Sequence, residues 1–162
     1  LARLGADVTG VDAAEENVEA ARAHAQGSGL AIEYRWGDVA LLGFKDYDLI
    51  TAMEVIEHVA EKPAFLAALT GAMKPGGLMI LSTPNRTVQS RLVMVEASER
   101  LGAIPRGTHH WGDFVTPDEL RDLLATVGLT MGAPKGIGWS PLQGLHLSDS
   151  LALNYIVTAT AA

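Results

Sequence analysis

Glu54, Glu57 and His58 fall within one short run, Met53-Glu54-Val55-Ile56-Glu57-His58, directly after the apolar stretch 47–52. If the backbone turns helical there, the three side chains sit at i, i+3 and i+4, on one helix face. Two carboxylates and an imidazole then converge beyond the carboxyl end of a strand, where α/β sheets keep their ligands. Such a cluster could bind a divalent metal, move a proton, or do both. The alternative is a solvated acidic first turn, where carboxylates complement the helix dipole. A first turn of that kind does not call for His58, and the imidazole favours chemistry.

Two further acids end strands. Asp12 closes Val8-Thr9-Gly10-Val11-Asp12 and could accept hydrogen bonds from both hydroxyls of an adenosine ribose. It could equally cap the helix that follows. Asp38 follows Gly37 at the end of the next strand. It could accept from an adenine amino group, or be an ordinary turn aspartate. Acids ending successive strands favour the nucleoside. His109 and His110 precede Trp111, and could line a substrate pocket or carry a proton; a polar loop is the plainer alternative.

The segment 86–106 is chemically distinct. It sets Arg86, Arg91, Arg100 and Arg106 against Glu96 and Glu99, and places Val88, Leu92 and Val95 along one helical face. A basic amphipathic helix can lie on an anionic membrane surface. The same spacing also suits a helix packed on its own domain.

The elements that must position these residues alternate. Strands are predicted over 7–11, 31–36, 47–52 and 78–82, and helices over 13–26 and 64–73. Lys74-Pro75-Gly76-Gly77 stops the second helix. A helix is expected over 88–101. Another opens at Thr116-Pro117-Asp118-Glu119, where Thr116 and Glu119 form a capping box and Pro117 suits the first helical position. Residues 129–133 form a short strand, 136–144 a glycine-containing loop, and 153–159 a last strand antiparallel to 78–82. Leu1-Ala2-Arg3-Leu4-Gly5 resembles the last turn of a helix closed by glycine. The pattern is that of an α/β fold, a largely parallel sheet with helices on both faces.

Composition narrows the function. The chain has 162 residues, 48% hydrophobic and 19% charged, which suits a single domain with a real core. A net charge of −7 argues against nucleic-acid binding. Without cysteine there is no disulfide framework and no thiolate metal site.

The stretch Leu4–Asp12 in sequence, Met53-Glu54-Val55-Ile56-Glu57-His58-Val59, Lys74-Pro75-Gly76-Gly77 and Ser82-Thr83-Pro84-Asn85-Arg86-Thr87 together resemble class I S-adenosylmethionine-dependent methyltransferases. More narrowly they are similar to the ubiquinone-biosynthesis O-methyltransferases, as are Gly107-Thr108-His109 with its following aromatic and Gly144-Leu145-His146 through Asn154-Tyr155. The resemblance covers essentially the whole chain. It implies a Rossmann-like sheet of order 3-2-1-4-5-7-6, in which 7–11 is the second strand. The first strand and its glycine-rich turn are then expected upstream of Leu1, making 1–162 a partial domain. The isolated chain is accordingly expected to bind S-adenosylmethionine weakly, and a titration giving micromolar affinity would overturn that.

The resemblance also implies roles. Asp12 would hold the ribose, Asp38 the adenine, and Met53 would pack against the cofactor. Glu54, Glu57 and His58 would ligate Mg²⁺ or another divalent cation, or His58 would act as a metal-free general base. The implied reaction is methyl transfer to a phenolic oxygen of a polyprenylated catechol or hydroquinol. The implied setting is cytoplasmic, peripheral at the inner membrane, with other ubiquinone-biosynthesis proteins as partners. The alternatives are a methyltransferase for another small molecule and a truncated non-catalytic fragment.

Overall fold

The structure, a computed structural model, describes residues 1–93 and 110–161. The chain divides into two compact units, Leu1–Phe44 and Lys45–Ala162.

The first unit opens with a single tight turn, Ala2–Leu4, closed by Gly5 at φ 89°, as the sequence suggests. Strand β1 (Thr9–Asp12) pairs in parallel with β2 (Glu33–Trp36), and helix α1 (Glu15–Gly27) connects them. Glu15 and Glu16 in the first turn of α1 and His24 in the last complement its dipole. The helix buries Val18 and Ala25.

The second unit holds a six-stranded sheet, in order β3-β4-β8-β6-β7 with β5 also on β8. Strand β3 (Tyr47–Met53) runs parallel to β4 (Met73–Pro84). Helix α2 (Lys62–Ala72), with Pro63 in its first turn, makes the crossover. The Lys74-Pro75-Gly76-Gly77 run does stop this helix, but it belongs to the start of β4 rather than to a free loop. A side chain at Gly77 would meet the carbonyls of Lys74 at 3.0 Å and Tyr47 at 3.1 Å, so glycine admits the close strand approach.

Helix α3 is described over Val88–Ser90. The rest of the helix expected through 101 lies outside the described residues from 94 onward, as do His109, Arg100 and Arg106. Helix α4 (Pro117–Thr126) begins with the expected capping box: Thr116 accepts from the Glu119 amide, and the Glu119 carboxylate accepts from the Thr116 amide. These amide bonds hold the Glu119 carboxyl below its usual range. Its apolar face buries Leu120 and Leu124, and it packs against α2.

Strand β5 (Leu129–Met131) and strand β4 both pair antiparallel with β8 (Asn154–Ala161). The final antiparallel strand therefore sits beside β4, as expected. The core gathers Met79 and Leu81 of β4, Tyr155 and Val157 of β8, Leu66 of α2, and Phe114 and Val115. Tyr155 is fully buried and donates to the Val115 carbonyl at 3.1 Å. Burial, with the Glu119, Glu57 and Glu54 charges adding, pushes its hydroxyl well above the ordinary phenol value, so it stays a neutral donor.

The glycine-containing segment 136–144 is not a loop. It forms a hairpin of β6 (Lys135–Ser140) and β7 (Gly144–Ser148), with β6 also pairing to β8. The glycines serve close approach rather than flexibility. A Cβ on Gly136 would lie 1.8 Å from the Ser150 carbonyl oxygen, and one on Gly138 2.9 Å from the His146 ring.

Candidate active site

The Met53–His58 run does not form a helix face. Glu54 has φ 53°, a left-handed conformation that is uncommon for a side-chain-bearing residue. Only Ile56–His58 makes a single tight turn. The i, i+3, i+4 geometry is therefore absent, and strand β4 decides where the acids go. Met53 pairs with Ser82 in register. Ser82 Oγ donates to the Glu54 carboxylate at 2.8 Å and accepts from the Glu54 amide at 3.1 Å. Thr83 Oγ1 donates to Glu57 Oε2 at 2.9 Å. Successive side chains of a strand leave opposite faces. Ser82 and Thr83 thus each engage one of the two glutamates.

The two acids sit in different surroundings. Glu54 is exposed as a residue, yet its carboxylate is packed among protein atoms. That burial pushes its carboxyl above the ordinary value, the Ser82 hydrogen bond opposing, Glu57 adding and His58 opposing. Glu57 is only 3% exposed, and its Oε1 is buried without a hydrogen-bond partner among the described residues. Such an orphan is costly unless something charged or ligand-borne meets it. His58 Nε2 lies 3.9 Å from that oxygen, with its ring half-exposed. This is too long for a hydrogen bond and short enough for charge pairing.

Among the described residues no group of three or more His, Asp or Glu side chains is gathered to hold a metal ion. Of the three expected donors, Glu57 and His58 are paired and Glu54 is engaged by Ser82.

A cleft of about 390 Å³ opens on this pair. It is lined by Glu57, His58 and Lys62 and, from a distant part of the sequence, by His110, Asp113 and Phe114. His110 therefore belongs with the run, and is not merely part of a polar loop. Lys62, Asp113 and Phe114 went unremarked in the sequence, as did the hydroxyls of Ser82 and Thr83. The signal for the hydroxyls was present: two polar residues end an otherwise apolar strand, and buried hydroxyls need partners.

The remaining expected residues have local partners. Asp12 Oδ1 accepts from the Ala14 amide at 2.8 Å and from Asn17 Nδ2 at 3.2 Å. This is a local turn bond, not the helix cap weighed as the alternative, since α1 is capped at Ala14 with no side-chain bond; it leaves the second carboxylate oxygen without a bond among the described residues. Asp38 Oδ1 accepts from the Ala40 amide at 2.9 Å, as a turn aspartate does. Met53 ends β3 and is 44% exposed.

Arg86 is not a membrane-facing cation here. Its guanidinium pairs with Glu119 and donates to the Gly112 carbonyl. Arg91 lies over the Trp111 ring, 5.8 Å from its centroid. Val88, Leu92 and Val93 remain exposed. No helix among the described residues is long and apolar enough to cross a membrane.

Comparison with known proteins agrees with this architecture. The methyltransferase domain family matches residues 1–132. A ubiquinone biosynthesis O-methyltransferase of Cereibacter sphaeroides is 44% identical over 98% of this chain, and one of Methylobacterium nodulans 42% identical over 98%. The chain spans 66% of the length of each of these relatives. The crystal structure of magnesium protoporphyrin IX methyltransferase from Synechocystis, with bound SAH, superposes with a TM-score of 0.69 at 23% identity, covering 99% of this chain and 67% of that one. A parallel β3-β4 pair flanked by antiparallel β8 and then β5 is the 4-5-7-6 portion of the expected sheet order. With the family matched over most of its residues, the chain belongs to the methyltransferase domain family.

Proposed function

We propose that the whole protein is an S-adenosylmethionine-dependent O-methyltransferase acting on a phenolic hydroxyl of a polyprenylated catechol or hydroquinol. The observation that carries this reading is the buried Glu57 carboxylate, with one oxygen unpartnered and turned toward His58 in a cleft. The similarity to ubiquinone biosynthesis O-methyltransferases supplies the substrate class.

Phenols ionise near pKa ~10, so at neutral pH the attacking oxygen needs a base. The His58 imidazole takes the phenolic proton on the ring nitrogen that does not face Glu57, leaving the oxygen nucleophilic toward a sulfonium methyl whose bond to sulfur would break. Glu57 Oε1, 3.9 Å from the ring, then faces the imidazolium that forms. Thr83 holds the other Glu57 oxygen and keeps the carboxylate in place. S-adenosylmethionine, when bound, supplies the electrophilic methyl on its sulfonium. For that cofactor, Asp12 is proposed to hold the ribose hydroxyls through its uncommitted oxygen, Met53 to pack against it, and Asp38 to meet the adenine. Asp12→Ala is expected to weaken S-adenosylhomocysteine binding about tenfold, a loss of the order of a charge-assisted hydrogen bond. An unchanged titration would remove Asp12 from the site.

The three side chains as placed do not form one donor set, so no step is assigned to a divalent ion. Product analysis tests the whole reading: the protein, S-adenosylmethionine and a prenylated catechol should yield the mono-methyl ether. The rate should survive chelation. Loss on chelation, restored by Mg²⁺ and no longer ion-dependent in Glu54→Gln and Glu57→Gln, would replace the base mechanism with a metal one.

A lipid-soluble acceptor also gives a reason for peripheral membrane contact. With Arg86 and Arg91 engaged internally, the proposed contact rests on exposed Val88, Leu92 and Val93. Replacing all three with serine is expected to reduce binding to anionic vesicles, and unchanged binding would end the idea.

A further inference from the structure

We infer that the cleft is a two-oxygen acceptor subsite, in which His110 hydrogen-bonds the hydroxyl adjacent to the one that His58 deprotonates. The inference rests on the function proposed above and names what selects the acceptor. His110 and His58 line the same cleft. The tight turn that follows His110, Trp111–Asp113, is tied down on every residue. Trp111 Nε1 donates to the Thr87 carbonyl at 2.9 Å, and Arg91 covers its ring. Arg86 donates to the Gly112 carbonyl at 3.3 Å. The Asp113 amide donates to the His110 carbonyl at 2.9 Å.

None of these ties uses the His110 imidazole, which makes no hydrogen bond among the described residues. Ordering a surface segment costs conformational entropy, roughly 1–2 kcal/mol per residue. Here that ordering delivers a bare imidazole to the cleft that His58 also lines. An imidazole can both donate and accept, so it suits a hydroxyl. Arg86 and Thr87 are then positioning residues for this wall, as Thr83 is for Glu57 on the other. The Ser82–Thr87 run holds both walls of one site.

The chemistry predicts selectivity. A site built to bond a substrate hydroxyl discriminates against an analogue lacking it, because its polar group is left unpaired. The test uses the intact protein, a short-prenyl catechol and the matching monophenol. Binding is read by calorimetric titration, and methyl transfer by product formation. His110→Ala should weaken catechol binding and raise its KM roughly tenfold, the worth of one hydrogen bond. Monophenol binding should stay within about twofold, and His110→Gln should recover part of the loss. Equal losses on both acceptors, or none on either, would overturn the subsite. If the protein binds catechol in a His110-dependent way yet transfers no methyl, the subsite stands and the proposed reaction falls.

Discussion

His58→Ala is expected to lower methyl transfer to a phenol by about 10²–10⁴-fold, the usual contribution of a positioned general base. The loss should fall on kcat, because the phenol stays protonated while the rest of the cleft lining is unchanged. Cofactor binding should be unchanged. Glu57→Gln should cost less. The amide keeps the size and the Thr83 hydrogen bond but withdraws the negative charge beside the imidazole. The size of the loss separates the two: His58→Ala should forfeit the whole general-base contribution, whereas Glu57→Gln should retain part of it. An unchanged rate in His58→Ala would show that the acceptor reaches the reaction already ionised.

The largest expected loss of stability comes from Phe114→Ala. Phe114 is 1% exposed and borders both the cleft and the core. Truncating a buried phenylalanine costs about 3–5 kcal/mol, and the upper end applies where the surroundings cannot collapse into the void. They cannot readily do so here. The next residue, Val115, is fixed through its carbonyl by buried Tyr155, and Trp111–Asp113 before it is tied to the segment after β4. Against a typical total of about 5–15 kcal/mol, the variant should unfold at a clearly lower denaturant midpoint. Leu142, 98% exposed, provides the contrast: its replacement by alanine should shift the midpoint by no more than about 0.5 kcal/mol. Equal shifts would mean that Phe114 is not held as described.

What could be read from the sequence was what local chemistry determines. The capping box at Thr116 and Glu119 is written within four residues, and the strands β3, β4 and β8 in short apolar runs. The hairpin β6–β7 was hidden because glycine usually marks a loop. Gly136 and Gly138 are glycine because the Ser150 backbone and the His146 ring occupy the space a side chain would need, a tertiary fact with no local trace. The site was legible in its membership more than in its geometry. Glu57, His58 and His110 do share a cleft, but the helix face expected of Glu54, Glu57 and His58 fails at one dihedral angle. Nothing in a glutamate announces a left-handed backbone. The Arg86 guanidinium was likewise read as a surface charge, since its partner Glu119 is distant in sequence.

The left-handed Glu54 carries a consequence for how this chain can be improved. Its conformation costs about 1–3 kcal/mol for a residue with a Cβ, and a glycine would adopt it freely. Glu54→Gly also removes a carboxylate that burial already disfavours in its charged form. A library selected for thermal resistance alone would therefore tend to replace this glutamate with glycine, and sequencing the survivors would reveal it without a single kinetic measurement.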